Sequence, residues 1–179
     1  RRPIRADTAG EGDDGRGTFL WDQRALKEVA LPDGVENVWN YWLYGSSVES
    51  VVVPASVREI GSCAFYDCRR LRKLIFLGCG AMRDDGGRVQ NPRASTTPAP
   101  LPERSRLRAI GRAAFCGCAS LGEAELPAGL AEIGVDAFRA SGLESFVAPE
   151  SLRVVGYGAF RDCRCLRRAR LNEGLETLG

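Results

Sequence analysis

The chain has 179 residues, 44% hydrophobic and 27% charged, with 25 Lys+Arg against 23 Asp+Glu. That balance leaves a formal charge of +2, which excludes a protein built to coat phosphates over a long track, while the apolar content is enough for a core. His is absent, which excludes Ser-His-Asp and Cys-His catalytic arrangements and His-containing zinc sites.

Residues 1–17 are polar and Gly/Asp-rich, without a core-forming pattern, and are expected to be a flexible tail ahead of a structured unit over 18–179. The chain opens Arg1-Arg2-Pro3 with neither Met nor an apolar leader core, which reads as a trimmed form. No apolar run approaches the roughly 18 residues of a membrane span.

Two elements then alternate along the chain. The first has apolar residues at positions one, four and six, and starts at Leu26, Val48, Leu71, Leu121, Leu143 and Leu166, at spacings of 22, 23, 50, 22 and 23. Its last three residues alternate in, out, in, which is strand periodicity, and Pro32, Pro54, Pro127 and Pro149 stop four of the six. The second element is an aliphatic residue followed by Gly-x-x-Ala-Phe, beginning at Gly61, Gly111, Gly134 and Gly156. Cys68, Cys118 and Cys163 follow three of the Phe residues at one fixed distance, and the Gly134 copy reads as one residue shorter there and without the Cys. A unit of 22 or 23 residues cannot bury its apolar side alone, but stacked copies bury a continuous one. The expected fold is therefore an α/β-type repeat solenoid with a short parallel sheet of about six strands, little regular helix and one long inserted loop.

These units resemble the BspA-like, or treponemal-type, leucine-rich repeat, whose pattern the segment from Val53-Pro54 through Ile60-Gly61 and Ala64-Phe65 to Leu74 follows almost position by position. The resemblance covers about 20–76 and 105–179. It implies a binding solenoid without a shared catalytic site, and a secreted, periplasmic or cell-surface location with adhesion to host or envelope macromolecules.

Departures from the repeat fall at both ends and in the middle. Trp39 and Trp42 stand where Gly61 and Ala64 stand in the next unit, as in a capping repeat, and Trp21-Asp22-Gln23 reads as a preceding half-repeat. The 50-residue spacing is one 23-residue unit plus 27 further residues, placed at about 77–105 in a Pro-rich stretch that is either functional or disordered. Cys79 within it is expected to be a free thiol. The last unit stops at Gly179, which would expose an edge strand and invite self-association.

Cys68, Cys118 and Cys163 read as a column of buried thiols. Cys116, Cys118, Cys163 and Cys165 lie two repeats apart, roughly 9–10 Å, too far to close around one zinc. Arg69, Arg70, Arg72 and Lys73 form one basic cluster, and Arg161, Arg164, Arg167, Arg168 and Arg170 another. With Glu123, Glu125 and Glu144 between them, a face that neutralises itself across the sheet is expected rather than a nucleic-acid stripe. The outward column of the strands reads Ala30, Val52, Ile75, Glu125, Val147 and Arg170. Its apolar members mark a binding surface or lie beneath the insertion.

The residues point to a non-enzymatic interaction module, with no cofactor, no metal and no nucleic acid, that binds a protein through Ala30, Val52, Ile75, Lys73, Glu123, Glu125, Val147, Arg168 and Arg170. The alternative is a carrier holding a small hydrophobic ligand under the 77–105 loop. A salt-sensitive, Arg-mediated nucleic-acid binder is a third and weaker reading.

Overall fold

A computed structural model describes residues 26–78 and 104–179. They form five coils of a parallel β-solenoid and part of a sixth, with no helix among the described residues. The expectations placed on 1–17, on the half-repeat at 21–23 and on Cys79 lie outside the described residues.

One wall carries the strands read from the sequence: β1 (Glu28–Ala30), β3 (Ser50–Val53), β5 (Lys73–Phe76), β7 (Glu123–Ala124), β9 (Ser145–Val147) and β11 (Arg168–Arg170). The opposite wall is built from β2 (Asn37–Val38), β4 (Glu59–Ile60), β6 (Ala109–Ile110), β8 (Glu132–Ile133), β10 (Val154–Val155) and β12 (Thr177–Leu178). All pairs are parallel, each strand lying beside its counterpart in the next coil. Between the walls the chain turns at proline: Val57, Leu130 and Leu152 donate their N–H to the carbonyls of Pro54, Pro127 and Pro149 at 3.2, 3.0 and 3.0 Å.

The strand wall is less continuous than the repeat suggests. Its six strands divide into β1-β3-β5-β7 and β9-β11, while the return wall is one unbroken six-stranded sheet. The break follows the two-residue β7, where Ala124 occupies the core position held by Val51, Leu74 and Phe146; Ala169 holds that position in β11, which still pairs with β9, so the small core residue alone does not account for the break. A single hydrogen bond, Glu144 N–H to the Gly122 carbonyl at 2.9 Å, helps carry the chain past the break.

Inside, each repeat position becomes a column. Phe65, Phe115 and Phe138 are wholly buried and stack with Phe160 in one ladder, with ring centroids 5.0, 5.2 and 5.6 Å apart and planes within 11° of parallel. Trp42 closes one end of the ladder edge-on to Phe65 at 5.9 Å, and Phe146 leans on Phe160 at the other at 4.4 Å. Trp42 therefore caps the core, as expected for a terminal repeat, whereas Trp39 is 67% exposed.

The Gly of Gly-x-x-Ala-Phe lets the coils touch. A Cβ built on Gly134 would lie 2.8 Å from the Arg112 nitrogen, and one on Gly156 2.5 Å from the Val135 nitrogen. Both contacts are with the backbone of the preceding coil, so only Gly fits at this spacing.

The thiol column is present and is extended by two hydroxyls. Cys68, Cys118 and Cys163 donate to the carbonyls of Leu43, Phe65 and Phe138 in the coil before, at 3.0, 3.2 and 3.0 Å. Ser46 and Ser141 lie 3.3 Å from Cys68 and Cys163 at the same repeat position. The Gly134 copy therefore does not lack this position. Ser141 fills it, and the missing residue falls after it, at Gly142-Leu143.

Candidate functional site

On the strand wall, inward residues such as Val51, Val53, Leu74 and Phe76 are buried, so alternation turns the intervening residues outward. Ala30, Val52 and Ile75 are register partners and form one continuous outward row, in which Ala30 is exposed and Val52 and Ile75 are half-buried. Lys73 and Glu123 are register partners in the next row toward the strand starts. Arg168 faces Ser145 and Arg170 faces Val147, which is 61% exposed. Glu125 follows directly after β7 and is exposed. All nine sequence-predicted residues thus lie on one wall, in two groups divided by the break after β7.

The electrostatics differ from expectation. Lys73 and Glu123 stand opposite each other, yet no ion pair joins them among the described residues. The ion pairs described among these residues lie on the turns and the return wall: Arg58 with Glu36, Arg69 with Asp67, Arg139 with Asp136 and Asp162, Arg161 with Asp162, and Arg153 with Glu176. Among the described residues, none joins an acidic to a basic side chain across the strand wall. Acidic Glu123, Glu125 and Glu144 lie on coils four and five, and exposed Arg167, Arg168 and Arg170 on coil six.

Two concave sites stand out among the described residues, and neither lies on the strand wall. One, of about 520 Å³, opens beside Val155, Tyr157, Phe160 and Leu178. The other, of about 350 Å³, lies on the return wall between Tyr41, Tyr66, Arg112 and Cys116. A ligand chamber beneath the 77–105 insertion would involve residues outside the described ones.

The sequence reading takes the return wall as a crossing path and Trp39 as part of a capping repeat, and proposes no site there. Trp39, Tyr41 and Tyr44 are 67%, 48% and 44% exposed there, and Tyr44 stacks on Tyr66 with centroids 5.0 Å apart and planes within 4°. The available signal was a row of rings at repeat positions that coils three to five fill with Gly, Cys, Ala, Asp or Arg.

Four of the cysteines are held as thiols by burial. Burial pushes the Cys118 thiol well above the ordinary thiol range and raises Cys68, Cys63 and Cys116 as well. Among the described residues, no group of three or more His, Cys, Asp or Glu side chains is placed to hold a metal ion.

Comparison with known proteins agrees with this architecture. A family model described as the BspA type leucine-rich repeat region matches six copies, over residues 17–79 and 99–179. A leucine-rich repeat protein from Bacteroides ovatus superposes with a TM-score of 0.65 at 26% identity, covering 85% of this chain and 35% of that one. The Treponema pallidum leucine-rich repeat protein gives 0.63 at 33% identity, covering 82% of this chain and 59% of that one. A leucine-rich cell surface protein from Faecalibacterium prausnitzii shares the fold, with a TM-score of 0.63 at 23% identity. This chain therefore spans between about a third and three fifths of the lengths of these structures. No curated protein matches. With its repeat pattern, coil geometry and family match in agreement, the chain belongs to the BspA-type leucine-rich repeat family.

Proposed function

We propose that this chain is a non-catalytic protein-interaction module whose contact surface is the strand wall. The carrying observation is the state of the charges there: acidic and basic side chains stand exposed beside an apolar row and, among the described residues, without ion pairs such as those on the turns and the return wall. Such a surface supplies an apolar centre and a charged rim, the usual anatomy of a transient interface. A solenoid adds breadth without requiring any one residue to react. The family's association with bacterial surfaces supports a partner from a host matrix or a cell envelope.

The test is capture from matrix and envelope fractions by the full chain, beside a variant carrying Val52→Glu, Ile75→Glu, Arg168→Glu and Arg170→Glu whose circular dichroism matches the parent. A partner held by the parent and lost by the variant supports the reading. Equal capture by both, or capture by neither, overturns it.

A further inference from the structure

The groove on the return wall is a different surface, made by turns of neighbouring coils. Tyr41 comes from coil one, Cys63 and Tyr66 from coil two, Arg112 and Cys116 from coil three, and Arg139 from coil four. Backbone bonds across the coils hold these turns together: Tyr41 N–H to the Ser62 carbonyl at 2.9 Å, and Cys63 N–H to the Arg112 carbonyl at 2.8 Å.

Three observations single it out. First, its rings are not needed by the repeat. The positions of Tyr41 and Tyr44 carry Cys63 and Tyr66 in coil two, Ala113 and Cys116 in coil three, and Asp136 and Arg139 in coil four, all with the same backbone course. Tyr41 sits at φ 58°, the left-handed turn conformation that Cys63, Ala113 and Asp136 share at this repeat position, so the turn sets the backbone and leaves the side chain free to vary.

Second, the rings are pre-arranged and open. Tyr44 is stacked on Tyr66 and tilted against Tyr41 at 6.0 Å, so ordering them on contact loses little further freedom. Trp, Tyr and Arg together are the residue types that dominate binding energy at interfaces.

Third, the groove holds one cation without a partner. Arg139 is met by Asp136 at 3.9 Å and Asp162 at 3.5 Å, and nearby Arg69 by Asp67 at 2.8 Å. Arg112 is exposed and has no ion pair among the described residues. Burial keeps Cys63 and Cys116 protonated at neutral pH, so no thiolate cancels that charge.

We propose that this groove is a second docking site, for a peptide segment of a protein partner that carries one carboxylate beside an aromatic side chain. The carboxylate would be forked by Arg112, a geometry for which guanidinium is suited. The neighbouring ring would lie against Tyr41 and Tyr66, and a volume of about 350 Å³ has room for such a pair of side chains. A nucleic-acid strand fits poorly, because the Asp136 carboxylate lines the same groove as the Arg112 guanidinium.

The experiment is a titration of the ¹⁵N-labelled full chain, followed by amide shifts, with the blocked peptide acetyl-Ser-Glu-Phe-Ser-amide, its Gln counterpart and a short oligothymidylate. The expected result is shifts at 41, 62–66 and 112–116, with the Gln peptide at least fivefold weaker. Arg112→Ala and Tyr41→Gly should each weaken the Glu peptide at least fivefold while the rest of the spectrum stays in place. The strand-wall variant described above should bind it unchanged, which separates this site from that one. Equal affinity for the two peptides, shifts confined to the strand wall, tighter binding of the oligothymidylate in the groove, no effect of Arg112→Ala, or no shift at millimolar peptide would each overturn the proposal.

Discussion

Replacing Gly134 with Ala sets a methyl group against the backbone of the coil before it. The new Cβ would lie 2.8 Å from both the Arg112 nitrogen and the Gly111 carbonyl carbon, well short of the 3.4 Å at which ordinary contact begins. Neither atom belongs to a side chain that can rotate away, so the coils must separate locally. The separation stretches Gly134 N–H to the Ile110 carbonyl, now 2.8 Å, and Ala113 N–H to the Val135 carbonyl, now 2.9 Å. Overpacking costs about 1–3 kcal/mol and each weakened hydrogen bond up to about 1 kcal/mol, so the loss should be about 2–4 kcal/mol. Gly122 is the internal control: nothing lies within 4 Å of its Cβ position and its φ is not in the left-handed region. Gly122→Ala should leave stability unchanged or raise it by up to about 1 kcal/mol, by restricting the unfolded chain. Urea denaturation followed by circular dichroism reads both as shifts in midpoint. If the two substitutions moved the midpoint in the same direction and by similar amounts, close coil contact would not be what demands Gly in this repeat.

Three further outcomes follow from the same geometry. Phe115→Ala, which removes a wholly buried ring with stacked partners on both sides, should cost about 3–5 kcal/mol in a urea melt, and clearly more than Phe160→Ala at the half-buried end of the ladder. Stability should be level through neutral pH and fall as pH rises above about 8.5, because the unfolded chain then gives up thiol protons that the buried Cys118 still holds; Cys118→Ser should reduce the fall, and an unchanged profile would contradict burial as its cause. Deleting residues 78–104, which restores the ordinary spacing between β5 and the next turn, should leave the melt as cooperative and no less stable, gaining up to about 2 kcal/mol from a shorter loop. Binding of a hydrophobic dye by that deletion variant then tests whether the insertion shields Val52 and Ile75.

The strand wall and the Phe ladder were legible because each rests on a pattern repeated in the sequence. Leu71-x-x-Leu74-x-Phe76 shows its alternation, and Ala64-Phe65 recurs at fixed distance. The return wall was legible only as a path. Its strands are two residues long, too short for alternation to declare itself, and parallel stacking rather than propensity holds Glu59-Ile60 beside Ala109-Ile110. The break after β7 escaped notice because Ala124 fits the repeat pattern as well as Ala169 does, and Ala169 lies in a paired strand. Ser141 escaped because a hydroxyl and a thiol look unlike each other in a sequence, although Ser141 stands in the same column, 3.3 Å from Cys163. The nine strand-wall residues share one face, as alternation requires. Which charges pair depends on side-chain reach, and that carries no signature in residue spacing.

The third coil leaves the stack at Gly78 and returns at Ser105, where the Ser105 N–H meets the Gly78 carbonyl at 3.2 Å, with Arg106 N–H already bonded to the Ala55 carbonyl of the coil before. The two ends of the 79–104 segment are thus fastened to each other and to the array. Through these bonds the third coil keeps its place in the array on either side of the insertion. At this one place the protein can acquire, exchange or lose sequence in evolution without first becoming a worse solenoid, and a peptide grafted there would be presented on a scaffold that folds for reasons of its own.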